Sequence, residues 1–327
     1  MKRNFLCAGS TLAVLLALLP LLAVPGSGQS SPAVVSGAYM NPNQVALLYW
    51  YSANRITSFA VGSAPQTLAF DGSNMWVVNQ NSDNVTEMQA STGKVLGTFA
   101  VGINPYGAAF DGANIWVSNA SSNSVTELQA STGDVVGTFP VGNVPTGMAF
   151  DGANIWVANL GAGTVTKLQA RTGKTLGTFP VGTQPDAIAV DGVNIWVANA
   201  GSNSVTKMSR SGAVLGTFAV GAYPSGLAFD GANMWVANLN SNNVTKLDVK
   251  TGKVLGTFLV GSGPPGVAFD GAFIWVANAG SNNVMKLDPA TGKILATFAG
   301  EGTPNFVAFD GANIWVTNFT GNNVSKF

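Results

Sequence analysis

Residues 141–180 read VGNVPTGMAF DGANIWVANL GAGTVTKLQA RTGKTLGTFP, and copies of this unit follow one another along the chain. The tryptophan of the unit marks the period, because successive copies place it 40, 40, 40, 39, 40 and 40 residues apart. The seven residues are Trp76, Trp116, Trp156, Trp196, Trp235, Trp275 and Trp315. An Asp-Gly pair precedes each of them, from Asp71-Gly72 to Asp310-Gly311. A fixed period of this length predicts a repeat architecture with one supersecondary unit per copy.

Each copy is predicted to form four short strands. In the copy quoted above these are residues 147–150, 155–159, 164–168 and 176–179. Asp151-Gly152 separates the first two strands and is a strong hairpin signal, because glycine adopts positive φ at no steric cost. The second strand is apolar on both faces, which is typical of a sheet buried on two sides. A β-propeller provides that environment, since each blade packs between two neighbours.

The two ends of the chain indicate how the ring closes. The seventh copy stops at Phe327, after its third strand, and the fourth-strand pattern occurs instead at Arg55–Gly62. Residues 43–62 align without gaps to residues 242–261. A strand from each terminus would complete one blade and remove an open sheet edge. We therefore predict an all-β fold over residues 43–327, a seven-bladed β-propeller of four-stranded antiparallel blades closed by the N-terminal strand.

The N-terminus has the pattern of a secretory signal peptide. Lys2 and Arg3 precede an apolar run over residues 11–24, and small residues follow it at 26–28. We predict a signal peptide over 1–28 and a linker over 29–42, with a secreted, periplasmic or cell-surface location. The run is short for a membrane-spanning helix, although an uncleaved anchor stays open as an alternative. After cleavage, no membrane span is expected.

Composition narrows the partners. Charged residues make up 9% of the chain and the formal net charge is zero, so no basic surface for nucleic acid is expected. Cys7, the only cysteine, lies within the predicted signal peptide. The mature chain therefore contains no disulfide and depends on packing for its stability. We expect a monomer.

The repeat carries a family resemblance. The patterns VGxxPxGxAFDG, IWVAN, NxVTKL and TGxxLGTF resemble YVTN-type β-propeller repeats and are similar to those of the streptogramin (virginiamycin B) lyase family, over residues 54–327. In that family, the resemblance implies ring opening by a histidine and a glutamate beside a bound magnesium ion. This chain has no histidine, and its glutamates are Glu87, Glu127 and Glu301. The first two occupy a third-strand position that is lysine in the other copies, so the catalytic pattern has no counterpart here.

Candidate functional residues are those that differ between copies, since packing explains the positions that repeat. The residue after the repeat's proline varies most; it is Gln66, Tyr106, Thr146, Asp186, Ser225, Pro265 and Asn305. Tyr223 precedes its own proline, and Gly300-Glu301 replaces the usual Val-Gly. Because strand direction alternates, the loops around these residues share one face of the disc. We predict a ligand-binding face, around the mouth of the central channel, formed by Gln66, Tyr106, Asp186, Tyr223, Glu301 and Asn305.

Three hypotheses for function follow. The first is an exported, non-catalytic scaffold that binds a protein, glycan or small ligand at this face, with no cofactor, catalytic residue or metal ligand. The alternative is a metal-dependent propeller lyase or lactone hydrolase, with Asp186 or Glu301 as ligand or base. A third is a purely structural role in a surface layer. The repeated Asp-Gly-x-Asn turns and tryptophans are interpreted as structural, because turns and buried cores favour these residues.

Overall fold

The structure is a computed structural model that describes residues 57–327. The predicted signal peptide (1–28), the linker (29–42) and residues 43–56 lie outside the described residues. Within them, 28 strands form seven four-stranded antiparallel sheets, and we name these sheets blades 1 to 7 in chain order. The prediction of a seven-bladed β-propeller with four-stranded antiparallel blades is therefore confirmed.

The strand bounds repeat with the sequence. The first strand described is β1 (Thr57–Ala60). Blade 1 consists of β2 (Pro65–Phe70), β3 (Asn74–Asn79), β4 (Asn84–Gln89) and β5 (Val95–Ala100). Blade 2 consists of β6 (Pro105–Phe110), β7 (Asn114–Asn119), β8 (Ser124–Gln129) and β9 (Val135–Pro140). Blade 3 consists of β10 (Pro145–Phe150), β11 (Asn154–Asn159), β12 (Thr164–Gln169) and β13 (Thr175–Pro180). Blade 4 consists of β14 (Pro185–Val190), β15 (Ile195–Asn199), β16 (Ser204–Met208) and β17 (Val214–Ala219). Blade 5 consists of β18 (Pro224–Phe229), β19 (Asn233–Asn238), β20 (Asn243–Asp248) and β21 (Val254–Leu259). Blade 6 consists of β22 (Gly266–Phe269), β23 (Ile274–Asn278), β24 (Asn283–Leu287) and β25 (Ile294–Ala299). Blade 7 contains β26 (Pro304–Phe309), β27 (Ile314–Asn318) and β28 (Asn323–Lys326). Single 3-10 turns cover Gln80–Ser82, Ala200–Ser202 and Leu239–Ser241.

Blade 7 combines strands from distant parts of the chain. Its order is β26-β27-β28-β1, whereas the other blades follow chain order from first to fourth strand. β1 runs antiparallel to β28, with Thr57 opposite Lys326 and Ala60 opposite Asn323. The Phe59 ring stacks on Trp315 with ring centroids 5.7 Å apart. In this blade β1 thus occupies the place that β5 has in blade 1.

The first strands of the blades form the inner ring. Each contacts the first strand of both neighbouring blades, and β26 contacts β2, so the ring is continuous. Small residues permit this approach. A Cβ atom added at Gly147 would lie 2.5 Å from the Asp186 carbonyl oxygen, closer than atoms of neighbouring strands can approach. The glycine of the VPTG segment in blade 3 is therefore required by the close contact between strands β10 and β14.

The hydrophobic core is divided among the seven interfaces between blades. Between blades 2 and 3, for example, Trp116 and Val125 pack with Ile155, Val157 and Leu168, all fully buried. In every blade the tryptophan also lies against a fourth-strand phenylalanine, with ring centroids 5.5–5.8 Å apart. The apolar second strand of each blade is thus buried on both faces of its sheet, as the sequence predicts.

The aspartate of each Asp-Gly turn fixes the tryptophan. Asp151 Oδ1 accepts hydrogen bonds from the backbone N–H groups of Ala153 and Asn154, and Oδ2 accepts one of 2.7 Å from Trp156 Nε1. The same indole–carboxylate bond occurs in all seven blades at 2.7–2.8 Å. Since both oxygens are bonded, the geometry supports a structural role for these turns. Within residues 57–327 no three His, Cys, Asp or Glu side chains converge as a metal site would require.

Candidate ligand-binding site

A cavity of about 90 Å³ lies where the first strands converge. Its walls come from the first strands of six blades and from Pro265, immediately before β22 of the remaining blade. The loop before each first strand lies beside the loop between the second and third strands. In blade 1, for example, the backbone N–H of Gln80 donates to the Ala64 carbonyl over 3.0 Å. The two sets of loops therefore share one face, and the cavity lies at the centre of the ring.

The residues that follow the repeat's proline are the main polar lining of this cavity. Gln66, Tyr106, Asp186, Ser225 and Asn305 all contribute to its wall. The variable-loop interpretation needs a correction here, because each of these five is the second residue of a first strand. The first strands of the blades therefore set the positions of these side chains, and the conformation of the loops does not.

Asp186 is the most unusual group in the cavity wall. Its side chain is 6% exposed, and its Oδ1 atom has no hydrogen-bond partner among the described residues. Burial raises the pKa of this carboxyl to about 7, and the hydrogen bond from the Tyr106 hydroxyl offsets only part of that effect. A buried carboxylate with an unpaired oxygen is costly, because no described residue replaces the hydrogen bond of the lost water.

Two tyrosines lie near this carboxylate from different blades. Tyr106 comes from blade 2 and reaches Asp186 on blade 4, past the small Thr146 of blade 3. The negative charge of Asp186, followed by burial, holds the pKa of Tyr106 well above its usual range. Tyr223 precedes β18 in the left-handed backbone region, with φ of 56°, and its pKa is raised by burial and by Asp186. Both hydroxyls therefore stay protonated and available as hydrogen-bond donors.

Amide side chains line the other side of the cavity. Asn305 Nδ2 donates to Gln66 Oε1, and Gln66 Nε2 donates to Gln80 Oε1 over 2.6 Å. Gln80 in turn donates to Asn104, and the Thr317 hydroxyl holds the Gln66 carbonyl at 3.0 Å. This chain of bonds fixes the orientation of each amide. The wall opposite Asp186 is consequently polar but uncharged.

The structure brings five of the six predicted residues together. Gln66, Tyr106, Asp186 and Asn305 line the cavity, and Tyr223 lies close enough for the charge of Asp186 to raise its pKa. Glu301 is exposed in the loop before β26 and is not part of the wall.

Sequence reasoning missed two residues that shape the site. Gln80 is the one polar residue at its repeat position, where the other copies have Ala120, Leu160, Ala200, Leu239, Ala279 and Phe319. At a second repeat position, Ala108 is the one small residue, and the other copies have Leu68, Met148, Ile188, Leu227, Val267 and Val307. Ala108 lines the cavity, so the missing side-chain volume contributes to its space. Comparison of copies at every repeat position would have found both.

A second difference between copies lies away from the cavity, on the third strands. Lys167, Lys207, Lys246, Lys286 and Lys326 place their ammonium groups 5.0–5.4 Å from the ring centroid of the tryptophan in the same blade. Four of them also donate to a backbone carbonyl of the next blade, as Lys167 does to Arg210 over 2.7 Å. These lysines tie neighbouring blades together.

Glu87 and Glu127 stand at this position in blades 1 and 2. Each accepts a 2.8 Å hydrogen bond from an asparagine of the Asp-Gly-x-Asn turn, Asn74 or Asn114. Burial and then the charge of Asp111 raise the pKa of Glu127 to about 7, and burial with Asp71 raises that of Glu87. These two blades therefore have an acidic side chain where the others have a lysine.

Residues 57–327 include no helix with the length and apolarity needed to cross a bilayer. No protein-family model matches the sequence, and comparison with curated proteins gives no match.

Solved structures with the same architecture do match. Hydrazine synthase from Kuenenia stuttgartiensis is 22% identical with a TM-score of 0.71, over 82% of this chain and 96% of that one. A streptogramin B lyase is 18% identical with a TM-score of 0.72, over 83% and 96%. A catalytically inactive histidine-to-alanine variant of virginiamycin B lyase from Staphylococcus aureus, with quinupristin, is 15% identical with a TM-score of 0.73, over 83% and 98%. At these identities the likeness shows that this chain shares the seven-bladed propeller fold of the streptogramin B lyases.

Proposed function

We propose that this protein is an exported, non-catalytic binding module that receives a small ligand, or one side chain of a larger partner, in the central cavity. The observation that carries the proposal is the Asp186 oxygen, which is buried in the cavity wall without a partner. Leaving a buried polar group unpaired costs about 1–3 kcal/mol. Most other copies have a neutral polar residue at this position, so the fold itself does not require a carboxylate. A ligand bound in the cavity against this carboxylate would offset that cost.

The surroundings of the cavity support binding more than catalysis. The described wall holds a single carboxylate, so it lacks the carboxylate pair that a glycosidase uses. The S. aureus lyase with which this chain shares its fold is described as inactive when a histidine is replaced, and this chain has no histidine. The lyase alternative therefore rests on likeness of fold alone.

Export is part of the same proposal and rests on the N-terminal sequence. The basic pair Lys2-Arg3 and the apolar run after it are typical of a signal peptide. N-terminal sequencing of protein recovered outside the cytoplasm should begin near Gln29. A start at Met1 in that fraction would contradict cleavage.

Binding at the cavity is tested by filling it. Ala108→Leu restores the volume that other copies carry at this position, so the variant should fold while the cavity shrinks. Ligand-detected NMR with a mixed set of cationic, neutral and anionic fragments should show binding to the wild type and none to Ala108→Leu. Ala113→Leu, on an exposed turn of the same blade, is the matched control and should bind as the wild type does. Equal binding by Ala108→Leu would overturn the proposal.

A further inference from the structure

We propose that the central cavity recognises a protonated primary amine, an ammonium group on a short apolar stem, with Asp186 as its ion-pair partner. This inference rests on the proposed function and names the chemical class of its ligand. It follows from the charge of the cavity, the single free carboxylate oxygen, the size of the space and the apolar part of its wall.

The charge of the cavity wall favours a cationic ligand. Asp186 is the only Asp or Glu in the wall, and no Lys or Arg of the described chain lines the cavity beside it. The ionisable groups from other elements that interact with it are Tyr106 and Tyr223, whose hydroxyls stay neutral. A buried carboxylate is stable when it is paired with an opposite charge, and the described wall supplies none. A cationic ligand would supply that pair, whereas an anion would be repelled.

The hydrogen-bond geometry favours an ammonium over a guanidinium. Oδ1 of Asp186 is buried without a hydrogen-bond partner among the described residues, and the Tyr106 hydroxyl lies beside the same carboxylate. A guanidinium pairs best with both oxygens of a carboxylate through two parallel bonds. An ammonium group needs one oxygen from each partner and has three donors. The amide oxygens and the hydroxyl of Ser225 in the same wall are suitable acceptors for the other two.

The coordination chemistry disfavours a bare metal ion. Calcium takes six to eight oxygen ligands, usually including several carboxylates, and magnesium requires near-octahedral geometry. The cavity wall has one carboxylate, and it also includes the apolar side chains of Met148, Ile188, Leu227 and Phe306. Apolar side chains next to a single carboxylate match a ligand with a charged head and a carbon stem. The ligand class is therefore an organic ammonium.

The volume of the cavity is sufficient for a small ammonium head. About 90 Å³ is several times the roughly 10–15 Å³ that one water molecule requires. That space accepts an ammonium group with a few methylene groups. A free short-chain amine fits, and so does the end of a lysine side chain presented by a larger partner.

Ionisation of Asp186 makes binding depend on pH. The groups that face it are Tyr106 from β6, Tyr223 from the loop before β18 and the uncharged Thr146 from β10. The tyrosines stay neutral, so Asp186 is the group that changes charge near neutral pH. Its pKa of about 7 means that the carboxylate forms as pH rises through neutrality. Amine affinity should therefore increase between about pH 5.5 and pH 8, and a bound cation should lower the pKa of Asp186.

The test uses n-butylamine, n-butanol and n-butyrate as probes of nearly equal size and different charge. Ligand-detected NMR titrations of the full chain at about pH 8 should give an affinity for n-butylamine at least about tenfold above that for n-butanol. Asp186→Asn, which keeps the side-chain shape, should lose about tenfold or more for n-butylamine and little for n-butanol. Glu301→Gln removes a carboxylate outside the cavity wall and is the matched control; its affinities should equal those of the wild type.

The possible outcomes separate the inference from the proposed function. Equal affinity for n-butanol and n-butylamine, or full amine binding by Asp186→Asn, would overturn the ammonium inference and leave a binding cavity. Binding of none of the three probes by a folded wild type would count against both. Loss of amine binding in Glu301→Gln would show that the cation binds at the exposed loop before β26, and would overturn the inference. Unfolding midpoints of each variant, measured in the same buffer, show that a loss of affinity is not a loss of fold.

Discussion

Asp186 illustrates how a single side chain can work against the stability of a repeat fold. Its neighbours at the same repeat position are satisfied by the protein, as Thr146 is when its hydroxyl donates to the Pro185 carbonyl over 3.2 Å. Asp186 instead keeps one oxygen unpaired in a cavity. The other buried side-chain oxygens without a partner in the described residues belong to neutral asparagines, whereas Asp186 is a carboxylate; these asparagines are Asn79, Asn238, Asn278 and Asn318.

Asp186→Asn should therefore stabilise the free protein near neutral pH. The pKa of Asp186 is about 7 in the folded state and near 3.9 when unfolded, so the folded state binds a proton more tightly. Its contribution to stability is complete below about pH 4 and is lost as pH rises to about 7. At about 1.4 kcal/mol per pKa unit, the variant should gain roughly 2–4 kcal/mol at pH 8 relative to pH 4. Urea unfolding at both pH values measures this, and a stability difference between the two proteins that is the same at pH 4 and pH 8 would contradict the assignment.

At the scale of strands, the third-strand lysines connect one blade to the next. Lys167 lies over Trp156 and donates to the Arg210 carbonyl, so it covers the edge of the interface between blades 3 and 4. Glu127 occupies the same place in blade 2 and makes neither contact. The interface between blades 2 and 3 therefore lacks the link that Lys167 provides between blades 3 and 4.

Glu127→Lys should restore that link. The new ammonium is expected to lie over Trp116 and to donate to the Ala170 carbonyl, which is in the place of the Arg210 carbonyl in the next blade. A cation–π contact and a charged hydrogen bond together should add about 1–2 kcal/mol to the free energy of unfolding above pH 7. Glu127→Gln separates the gain of a lysine from the loss of a carboxylate. If Gln stabilises as much as Lys, the bridge contributes nothing; chemical unfolding of both variants decides.

The whole molecule depends on β1 to complete blade 7. Phe59 covers Trp315, and its ring lies where a side chain at Gly93 of blade 1 would have to go. Without β1, strand β28 would present unpaired backbone groups at an exposed edge, which favours association between chains.

A chain that begins at residue 61 should thus be less stable than one that begins at residue 55, which is the matched control. Loss of the Phe59 contacts alone corresponds to about 3 kcal/mol, by analogy with other large-to-small changes in cores. We expect a lower unfolding midpoint and oligomers in light scattering for the shorter chain. Two chains of equal stability and mass would show that β1 is dispensable.

The pH profile is also a property of the whole molecule, because two groups of acids act in opposite directions. In the turn carboxylates, burial acts to raise the pKa, but hydrogen bonds from tryptophan and the turn backbone outweigh it, and the pKa is lowered; these are Asp151, Asp191, Asp230 and Asp310. They contribute stability above about pH 4 that is lost as pH falls. Asp186 and Glu127 contribute stability that is lost as pH rises toward about 7.

The free energy of unfolding should consequently be greatest at a mildly acidic pH, about 4 to 6, and should decline toward pH 8. Urea titrations across this range measure the profile. The double variant Asp186→Asn with Glu127→Gln should flatten the decline on the alkaline side and leave the acid side unchanged. A wild-type profile that rises steadily to pH 8 would contradict the proposed balance.

The repeat made the architecture predictable from sequence. The spacing of Trp76 and its equivalents, the Asp-Gly turns and the two-faced apolar strands all depend on local periodicity, which a sequence displays directly. Gln66, Asp186 and Asn305 could be selected as candidates for the same reason, since a repeat makes each deviation visible.

Only the closed ring decided which of those residues meet. Tyr106 and Asp186 are two blades apart in sequence, and they interact because the inner strands converge and the intervening Thr146 is small. Glu301 deviates from the repeat as clearly as Asp186 does, yet it stays in an exposed loop. Burial and distance across the ring arise from packing between blades that are far apart in the chain. Sequence therefore determined the strands and the list of candidates, while tertiary structure determined the cavity, the unpaired oxygen and the partners around it.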